Sequence, residues 1–297
     1  MIVGNRLSAL LLLVTALWGL NMTVMKTIAS YFDPSVMATE RAAVAAGFLG
    51  LMLWRQRSTR RRTRMNGRQL ATVFVCAVLM VYVNQILIAG GLVRTSATNA
   101  SVAIALSPLV SSLMVAMLLR ERLGWMRLAG VVLGFGGVLI VVLHSSGARL
   151  AHAGLGDAMV VASVVTFAIG GVLIQRLARE TDALYTSAMI YACGTLMLAL
   201  HTIALDVAPD LKAWFPGLWP LMLVLFSALI ATAFGNLAWN HAIVKIGVAR
   251  VSLWFYWVPV FGVGFAALLL GETLTISHGV GLLVVIVGTA LGTYSRA

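Results

Sequence analysis

The chain has 297 residues, of which 61% are apolar and only 10% charged, and its 21 basic against 9 acidic side chains give a formal net charge of +12. About a quarter of the residues in a water-soluble domain are charged, so this composition excludes an ordinary soluble protein and predicts a chain that lies in the bilayer. Loops that face anionic lipid account for the positive charge, and we therefore expect no nucleic-acid partner.

Charged and turn residues divide the apolar stretches into ten candidate membrane spans, each close to the roughly 20 residues that cross a bilayer. In chain order the predicted spans are residues 7–30, 34–54, 70–92, 96–119, 124–143, 155–175, 184–204, 218–240, 247–270 and 277–294. These spans use nearly the whole chain. The sequence therefore predicts an all-α integral membrane protein with no soluble domain.

The basic residues are distributed unevenly between the segments that join the spans. An even number of spans places both termini on one side, and 16 of the 21 basic residues fall on that side, seven of them within 55–68. Only Arg94, Arg149 and Lys212 fall on the other side. The positive-inside rule therefore predicts cytoplasmic termini, in the plasma membrane, which is the inner membrane of a bacterium.

The two halves of the chain repeat a common pattern. An offset of 151 positions superposes identical residue types: Ser101 on Ser252, Pro108 on Pro259, Glu121 on Glu272 and Gly130 on Gly281. Each half holds five spans, an odd number, so the second copy must cross the membrane in the opposite direction. We predict two inverted five-helix repeats, residues 1–148 and 149–297, an arrangement typical of secondary transporters.

Four sequence strings also carry a family resemblance. They are ALWGLN in the first span, TERAAVAAGF in the second, SPLVSSLMVAMLLRERLGWMRLAGVVLGFGGVLIVV in the fourth and fifth, and VPVFGVGFAALLLGETLTISHGVGLLVVIVGTAL in the ninth and tenth. Over nearly its whole length the chain resembles the EamA branch of the drug/metabolite transporter superfamily. The resemblance implies a ten-helix exporter of amino acids or other metabolites, and it implies an arginine at the position of Arg41. It does not identify the substrate.

Pro108 and Pro259 lie about twelve residues into the fourth and ninth spans, near the middle of the membrane. Neither proline can donate to the carbonyl four residues earlier, so the sequence predicts helix kinks that free the carbonyls of Ile104 and Phe255. Such kinks serve either packing alone or a cavity. Their paired depth favours a cavity, because an unpaired carbonyl is costly in lipid but not beside water or cargo.

Aromatic and amide side chains inside the spans are the candidate lining of that cavity. An apolar pocket with a few convergent polar groups suits a cargo with an organic side chain and a hydrogen-bonding head. Each amide must be satisfied within the protein, either by bridging helices or by contacting cargo, and at most two residues of 254–257 can face one cavity. The candidates are Trp18, Asn21, Tyr82, Asn84, Gln85, Asn236, Trp239, Asn240, Trp254, Tyr256 and Trp257.

Three formal charges, those of Lys26, Glu40 and Arg41, lie well inside predicted spans. A charge at this depth costs roughly 2.5 to 3.5 kcal/mol on insertion scales, so we expect Glu40 to pair with Lys26 or Arg41. The alternative is a role in ion coupling or in binding the head group of the substrate.

Glycines recur in the fifth and tenth predicted spans, at 130, 134 and 137 and at 281, 288 and 292. They predict close packing of these two helices or, alternatively, a dimer face, and the protein is expected to be a monomer or a homodimer. The chain contains no phosphate loop, nucleophile elbow or zinc-binding helix, so we expect no cofactor and no metal site.

The sequence favours a secondary exporter of small amphipathic metabolites, above all amino acids, that works by alternating access. Its expected partners are the bilayer and a small-molecule substrate. The alternative is a multidrug exporter of lipophilic cations. It would use cation–π contacts with the aromatic residues, but would usually also need a buried acidic side chain to bind the cation. An intramembrane enzyme is disfavoured, because no paired catalytic groups lie at one depth.

Overall fold

The fold is a bundle of helices, and the computed structural model describes residues 5–56, 65–95, 97–121, 124–144, 154–177, 180–205, 211–270 and 275–294. Within these ranges there is no strand, and ten helices are long and apolar enough to cross a membrane. This confirms the predicted all-α fold with ten spans. Glu272, Arg149 and the arginine-rich residues 57–64 lie outside the described ranges, as does the side chain of Lys26.

The ten spanning helices are numbered α1 to α10 in chain order. Their bounds are α1 Asn5–Ile28, α2 Pro34–Arg55, α3 Gly67–Arg94, α4 97–119, α5 Trp125–Leu143, α6 Leu155–Leu177, α7 Ala183–Ala204, α8 Leu218–Ile246, α9 248–270 and α10 Ile276–Tyr294. Of these, α8 runs six residues past its predicted end at 240. The residue after its last turn is Gly247, whose positive φ of 82° is a conformation that glycine adopts without strain.

The closest helix contact in the fold joins α5 to α10, which run antiparallel. Three glycine pairs face each other: Gly130 with Gly292, Gly134 with Gly288, and Gly137 with Gly281. A Cβ placed on Gly130 would lie 2.5 Å from the backbone nitrogen of Gly292. The predicted close packing of these two helices is therefore confirmed, and because their glycines face each other within one chain, this face is not available as a dimer interface.

The third helix of each half contains a π-helical segment, and the fourth helix is irregular just before its proline. The π segments are Ala77–Val83 in α3 and Ser227–Phe234 in α8. The regular turns of α4 break at Leu106, two residues before Pro108, and α9 contains a 3₁₀ segment, Ser252–Tyr256, that ends three residues before Pro259. The halves thus share irregular geometry as well as sequence, while the inversion of the second half stays a prediction.

The carbonyl of Ile104, ahead of Pro108, is not free, although the sequence predicted that the kink would free it. The hydroxyl of Ser107 donates to this carbonyl at 2.6 Å. A serine next to a helix break can satisfy a carbonyl three residues earlier, which offsets the hydrogen bond that proline cannot make. The break before Pro108 therefore does not present an unsatisfied carbonyl to a cavity, whereas the freeing of the Phe255 carbonyl stays a prediction.

The orientation of the bundle can be tested by labelling from one side of the membrane. We expect Gly67→Cys, at the exposed start of α3, to react with a membrane-impermeant maleimide only after the cytoplasmic face is opened. Tyr31→Cys, exposed after α1, should react in intact cells. Both changes are made in a chain whose Cys76 and Cys193 are replaced by Ala. Labelling of position 67 in intact cells would contradict cytoplasmic termini.

Candidate functional site

Four aromatic rings from four helices meet inside the bundle, and we call them the aromatic cluster: Trp18 of α1, Phe167 of α6, Trp239 of α8 and Phe255 of α9. The ring of Phe255 lies 5.3 Å from that of Trp18, 4.5 Å from that of Trp239 and 6.0 Å from that of Phe167, measured between centroids. Trp18 and Trp239 are themselves 4.9 Å apart, and Trp239 is only 1% exposed. Phe255 is thus the ring that all the others contact, although the sequence did not single it out.

The neighbours of Phe255 in the aromatic run point elsewhere. Tyr256 is fully buried, its hydroxyl donates to the carbonyl of Val131 at 2.7 Å, and its ring occupies the space beside Gly134. Trp257 lies against Phe261, with 5.8 Å between their ring centroids. In a 3₁₀ segment successive residues turn by about 120°, so Phe255 and Tyr256 face different directions. Tyr256 packs α9 against α5, and Phe255 replaces it as the residue of this run that reaches the candidate site.

A polar cluster around Arg41 joins α2, α3 and α8. The Arg41 side chain is 5% exposed, its Nη1 donates to Oε1 of Gln85 at 3.2 Å, and its Nη2 donates to Oγ1 of Thr232 at 2.9 Å. Its Nε is buried with no hydrogen-bond partner. Both acceptors are neutral groups. Among the described residues, therefore, the positive charge of Arg41 has no acidic partner.

The predicted ion pair between Glu40 and Arg41 is wrong. The Arg41 guanidinium contacts α3 and α8 instead, and Oε2 of Glu40 is buried without a hydrogen-bond partner. Consecutive residues of a helix point about 100° apart, so neighbours in sequence do not face each other. Pairing of Glu40 with Lys26 lies outside what is described, because the side chain of Lys26 is not.

The π segment of α8 connects the two clusters. The carbonyl of Ala231 accepts a hydrogen bond from Nε1 of Trp18 at 2.8 Å, and the next residue, Thr232, receives Arg41 on its hydroxyl. The Thr232 hydroxyl donates to the carbonyl of Ser227, and its carbonyl accepts from Nδ2 of Asn236 at 2.9 Å. A π turn shifts the backbone hydrogen bonds, so carbonyls there are open to side chains. The aromatic and polar clusters therefore form one continuous candidate site.

The remaining predicted amides have different positions. Asn84 donates to the Ser163 carbonyl at 2.8 Å, tying α3 to α6, and Asn240 donates to Oγ of Ser187 at 3.0 Å, tying α8 to α7. Oδ1 of Asn21 is buried without a partner. These two bridging bonds match the structural alternative for the amides, in which they hold helices together.

Besides Tyr256 and Trp257, two more predicted aromatic residues lie outside the aromatic cluster. The hydroxyl of Tyr82 is 3.0 Å from Nδ1 of His201 on α7, and the two rings meet edge to face. Trp254 is buried, and its Nε1 has no hydrogen-bond partner. Of the predicted aromatic residues, Trp18 and Trp239 are therefore the ones that belong to the aromatic cluster.

Removing the amide of Asn84 should affect stability rather than transport. Asn84→Ala removes the hydrogen bond that joins α3 to α6, while the Ser163 carbonyl still accepts from the hydroxyl of Thr166, so we expect the free energy of unfolding to fall by about 0.5–1.5 kcal/mol while the transport rate per folded molecule is kept. Thermal unfolding of the purified protein measures the change. Thr72→Ala is the matched control, since its hydroxyl bonds only within α3. A lowered transport rate at unchanged stability would instead assign Asn84 to the substrate site.

Ten apolar helices around a buried arginine and an aromatic cluster define an integral membrane protein. The sequence model of the EamA-like transporter family matches residues 6–143 and 154–294, once in each half of the chain. The chain belongs to this family. That assignment confirms the resemblance to the drug/metabolite transporter superfamily, and it makes the protein a transporter.

Relatives agree with this assignment over most of the chain. An uncharacterized transporter of Bacillus subtilis (strain 168), YyaM, is 25% identical over 275 residues, which are 91% of this chain and 88% of that one. A probable terminal-alkyne amino-acid exporter of Streptantibioticus cattleyicolor is 27% identical over 241 residues, 80% of this chain and 73% of that one. A crystal structure with 16% sequence identity superposes with a TM-score of 0.78 over 97% of this chain and 96% of that chain, which supports the fold.

Proposed function

We propose that the protein exports small amphipathic metabolites, above all amino acids, across the bacterial inner membrane by alternating access. The observation that carries this proposal is Arg41, a buried guanidinium without an acidic partner among the described residues, directly connected to an aromatic cluster. The charge attracts a carboxylate, and the aromatic rings offer contact area to an organic side chain.

The chemistry of Arg41 favours a carboxylate over other head groups. A guanidinium has five N–H donors in a planar fork that matches a carboxylate, and hydrogen bonds between charged groups are about twice as strong as neutral ones. Two nitrogens of Arg41 donate to neutral oxygens, and its Nε has no hydrogen-bond partner. A substrate carboxylate would compensate the buried charge that the protein itself leaves uncompensated. The similarity to a probable terminal-alkyne amino-acid exporter supports the same substrate class.

The positions of the two clusters suggest how access would alternate. Trp239 lies seven residues before the end of α8 and Phe255 seven residues after the start of α9, so these rings are about 10 Å from the end of the bundle that carries both termini. Arg41 lies seven residues into α2, about 10 Å from the opposite end. The aromatic cluster therefore stands between Arg41 and the terminal end. Separation of Trp18 from Phe255 would admit cargo from that end.

The alternative function, export of lipophilic cations, has one observation in its favour. The aromatic cluster could bind a cation through the faces of its rings, and Oε2 of Glu40 is a buried acceptor without a partner. The positive charge of Arg41 opposes this function, because it would repel a cation in the connected polar cluster.

Counterflow in proteoliposomes separates the two functions. We expect vesicles loaded with phenylalanine to exchange it for external labelled phenylalanine, and not for phenethyltrimethylammonium, which keeps the ring and a positive charge but lacks the carboxylate. A panel of other amino acids then defines the side-chain range, and vesicles without protein correct for passive leakage. Exchange of the ammonium compound without exchange of any amino acid would reject the proposal in favour of the alternative.

A further inference from the structure

A small polar cavity lies outside the aromatic and polar clusters, at the end of the bundle that carries both termini. It lies where α6 and α8 end and α7 begins, and the polar part of its lining consists of Thr181, Thr186, Ser187 and Asn240. Thr186, Ser187 and Asn240 are buried, with exposed fractions of 4%, 1% and 5%. The volume of the cavity is about 10 Å³, close to the space that one particle of the size of a water molecule needs.

The hydroxyl hydrogens of the two threonines in this cavity are already used, which leaves their oxygens as acceptors. Thr181 donates to the carbonyl of Leu177 at 3.0 Å, and Thr186 donates to Oγ1 of Thr181 at 3.1 Å. Asn240 donates through Nδ2 to Oγ of Ser187 at 3.0 Å, and its Oδ1 is buried without a hydrogen-bond partner. A buried amide oxygen without a partner is costly, so the cavity favours an occupant that brings positive charge or a hydrogen-bond donor.

The helix ends around the cavity favour positive charge. The last turns of α6 and α8 contribute Ile174 and Val244 to the lining, and the C-terminal end of a helix carries partial negative charge. The start of α7 has the opposite sign, but the carboxylate of Asp182 caps it and accepts from the N–H of Tyr185 at 3.0 Å. Lys245, near the end of α8, is exposed, so water and salt screen its charge.

We propose that this cavity binds a sodium ion between α7 and α8, with Oδ1 of Asn240 as the principal ligand and the hydroxyl oxygens of Thr186 and Ser187 beside it. Calcium and magnesium sites include carboxylates, whereas every oxygen named here is neutral, which favours a singly charged ion. Secondary transporters coordinate sodium with backbone carbonyls and the C-terminal ends of helices. Neutral oxygens from two helices form no metal-binding motif, so this site departs from the sequence-based expectation of no metal.

A sodium ion at this place would act next to the aromatic cluster. Asn240 directly follows Trp239, whose ring lies 4.5 Å from that of Phe255. The hydrogen bond from Asn240 to Ser187 already ties this turn of α8 to α7, and an ion shared by the two helices strengthens the connection. Sodium therefore holds Trp239 where the aromatic cluster is closed. This consequence rests on the proposed function, whereas the binding of sodium does not.

The site is tested with the purified full-length protein in neutral detergent and without any cargo. Thermal unfolding is compared in sodium chloride, potassium chloride and choline chloride at matched ionic strength. We expect sodium to raise the unfolding temperature saturably above the values in potassium and in choline, since the cavity is small and lined by oxygen. Equilibrium binding of radioactive sodium should give one ion per chain.

Two variants separate the site from a general effect of salt. Asn240→Ala removes the principal ligand, and its apparent affinity for sodium should be about 10-fold weaker or more. Asn84→Ala is the matched control, because it also removes an amide that bridges two helices but does not line the cavity, and it should respond to sodium as the native protein does. If Asn240→Ala is not obtained folded, Thr186→Val serves in its place, since it removes an oxygen and keeps the shape of the side chain.

Each result decides for or against the sodium site. A saturable rise that is specific to sodium and is lost in Asn240→Ala supports it. An equal rise in all three salts, or no rise, overturns the proposal and assigns the cavity to a water molecule. An undiminished response in Asn240→Ala or in Thr186→Val overturns it as well. A protein that binds sodium but exchanges no amino acid would contradict the proposed function and leave the site intact.

Discussion

Replacing Arg41 by Gln is expected to reduce counterflow of an amino acid by about 10- to 100-fold while the protein stays folded. The variant removes the charge and the guanidinium bonds to Gln85 and Thr232, but keeps a polar amide at this position. A hydrogen bond to a charged group contributes about 1.5–3 kcal/mol, and each 1.4 kcal/mol is a factor of ten in affinity. Burial of an amide also costs less than burial of a charge, so the folded yield should not fall.

Two further variants sharpen the Arg41 experiment. Arg55→Gln removes an exposed arginine from the end of the same helix and should exchange amino acids at the native rate. Arg41→Lys keeps the charge without the planar fork and should recover only part of the exchange. Native exchange in Arg41→Gln would contradict the assignment of Arg41 to the carboxylate. Loss of folded protein in that variant would assign Arg41 to packing instead.

Replacing Gly130 by Ala should destabilise the protein, because α5 and α10 leave no room for a methyl group there. The new Cβ would lie 2.5 Å from the backbone nitrogen of Gly292 and 2.7 Å from the carbonyl oxygen of Gly288, and backbone atoms cannot rotate away as side chains do. Forcing a methyl group into packed structure costs about 1–3 kcal/mol, and the rigidity of two facing helices places this case at the upper end.

Gly136 provides a matched control on the same helix. A Cβ at this position would have nothing within 4 Å, so Gly136→Ala should leave the unfolding temperature unchanged or raise it slightly, because alanine favours the helix over glycine. Thermal unfolding in detergent, with the folded fraction measured by size-exclusion chromatography, compares the two variants. Equal effects of the two changes would contradict the packing of α5 against α10.

Much of the fold was predictable because its signals are local. Apolar runs of membrane length end at charges and turn residues, which is why all ten spans were predicted from the sequence. Even the late end of α8 has a local signal in Gly247, where a positive φ suits glycine. The contact of α5 with α10 was also predictable, since a repeated glycine spacing on two helices serves close approach.

The partners within the site were not predictable, because they come from distant parts of the chain. Arg41 donates to Gln85 and Thr232, which are 44 and 191 positions away along the chain. The prediction from sequence had paired it with its neighbour Glu40. Phe255, rather than Tyr256, reaches the candidate site because of the 3₁₀ segment of α9, which the sequence does not reveal. The π segment of α8, which presents Ala231 and Thr232 to the site, has the sequence SALIATAF, without a proline or glycine to mark it.

The glycine contact between α5 and α10 also limits how the molecule can move. Backbones this close interlock, so the two helices cannot slide past each other without separating along their whole shared length. Each is the last helix of its half, so the halves are clamped together at one edge. We therefore expect rearrangement of the other eight helices to pivot about this pair, with the greatest displacement in the helices farthest from it.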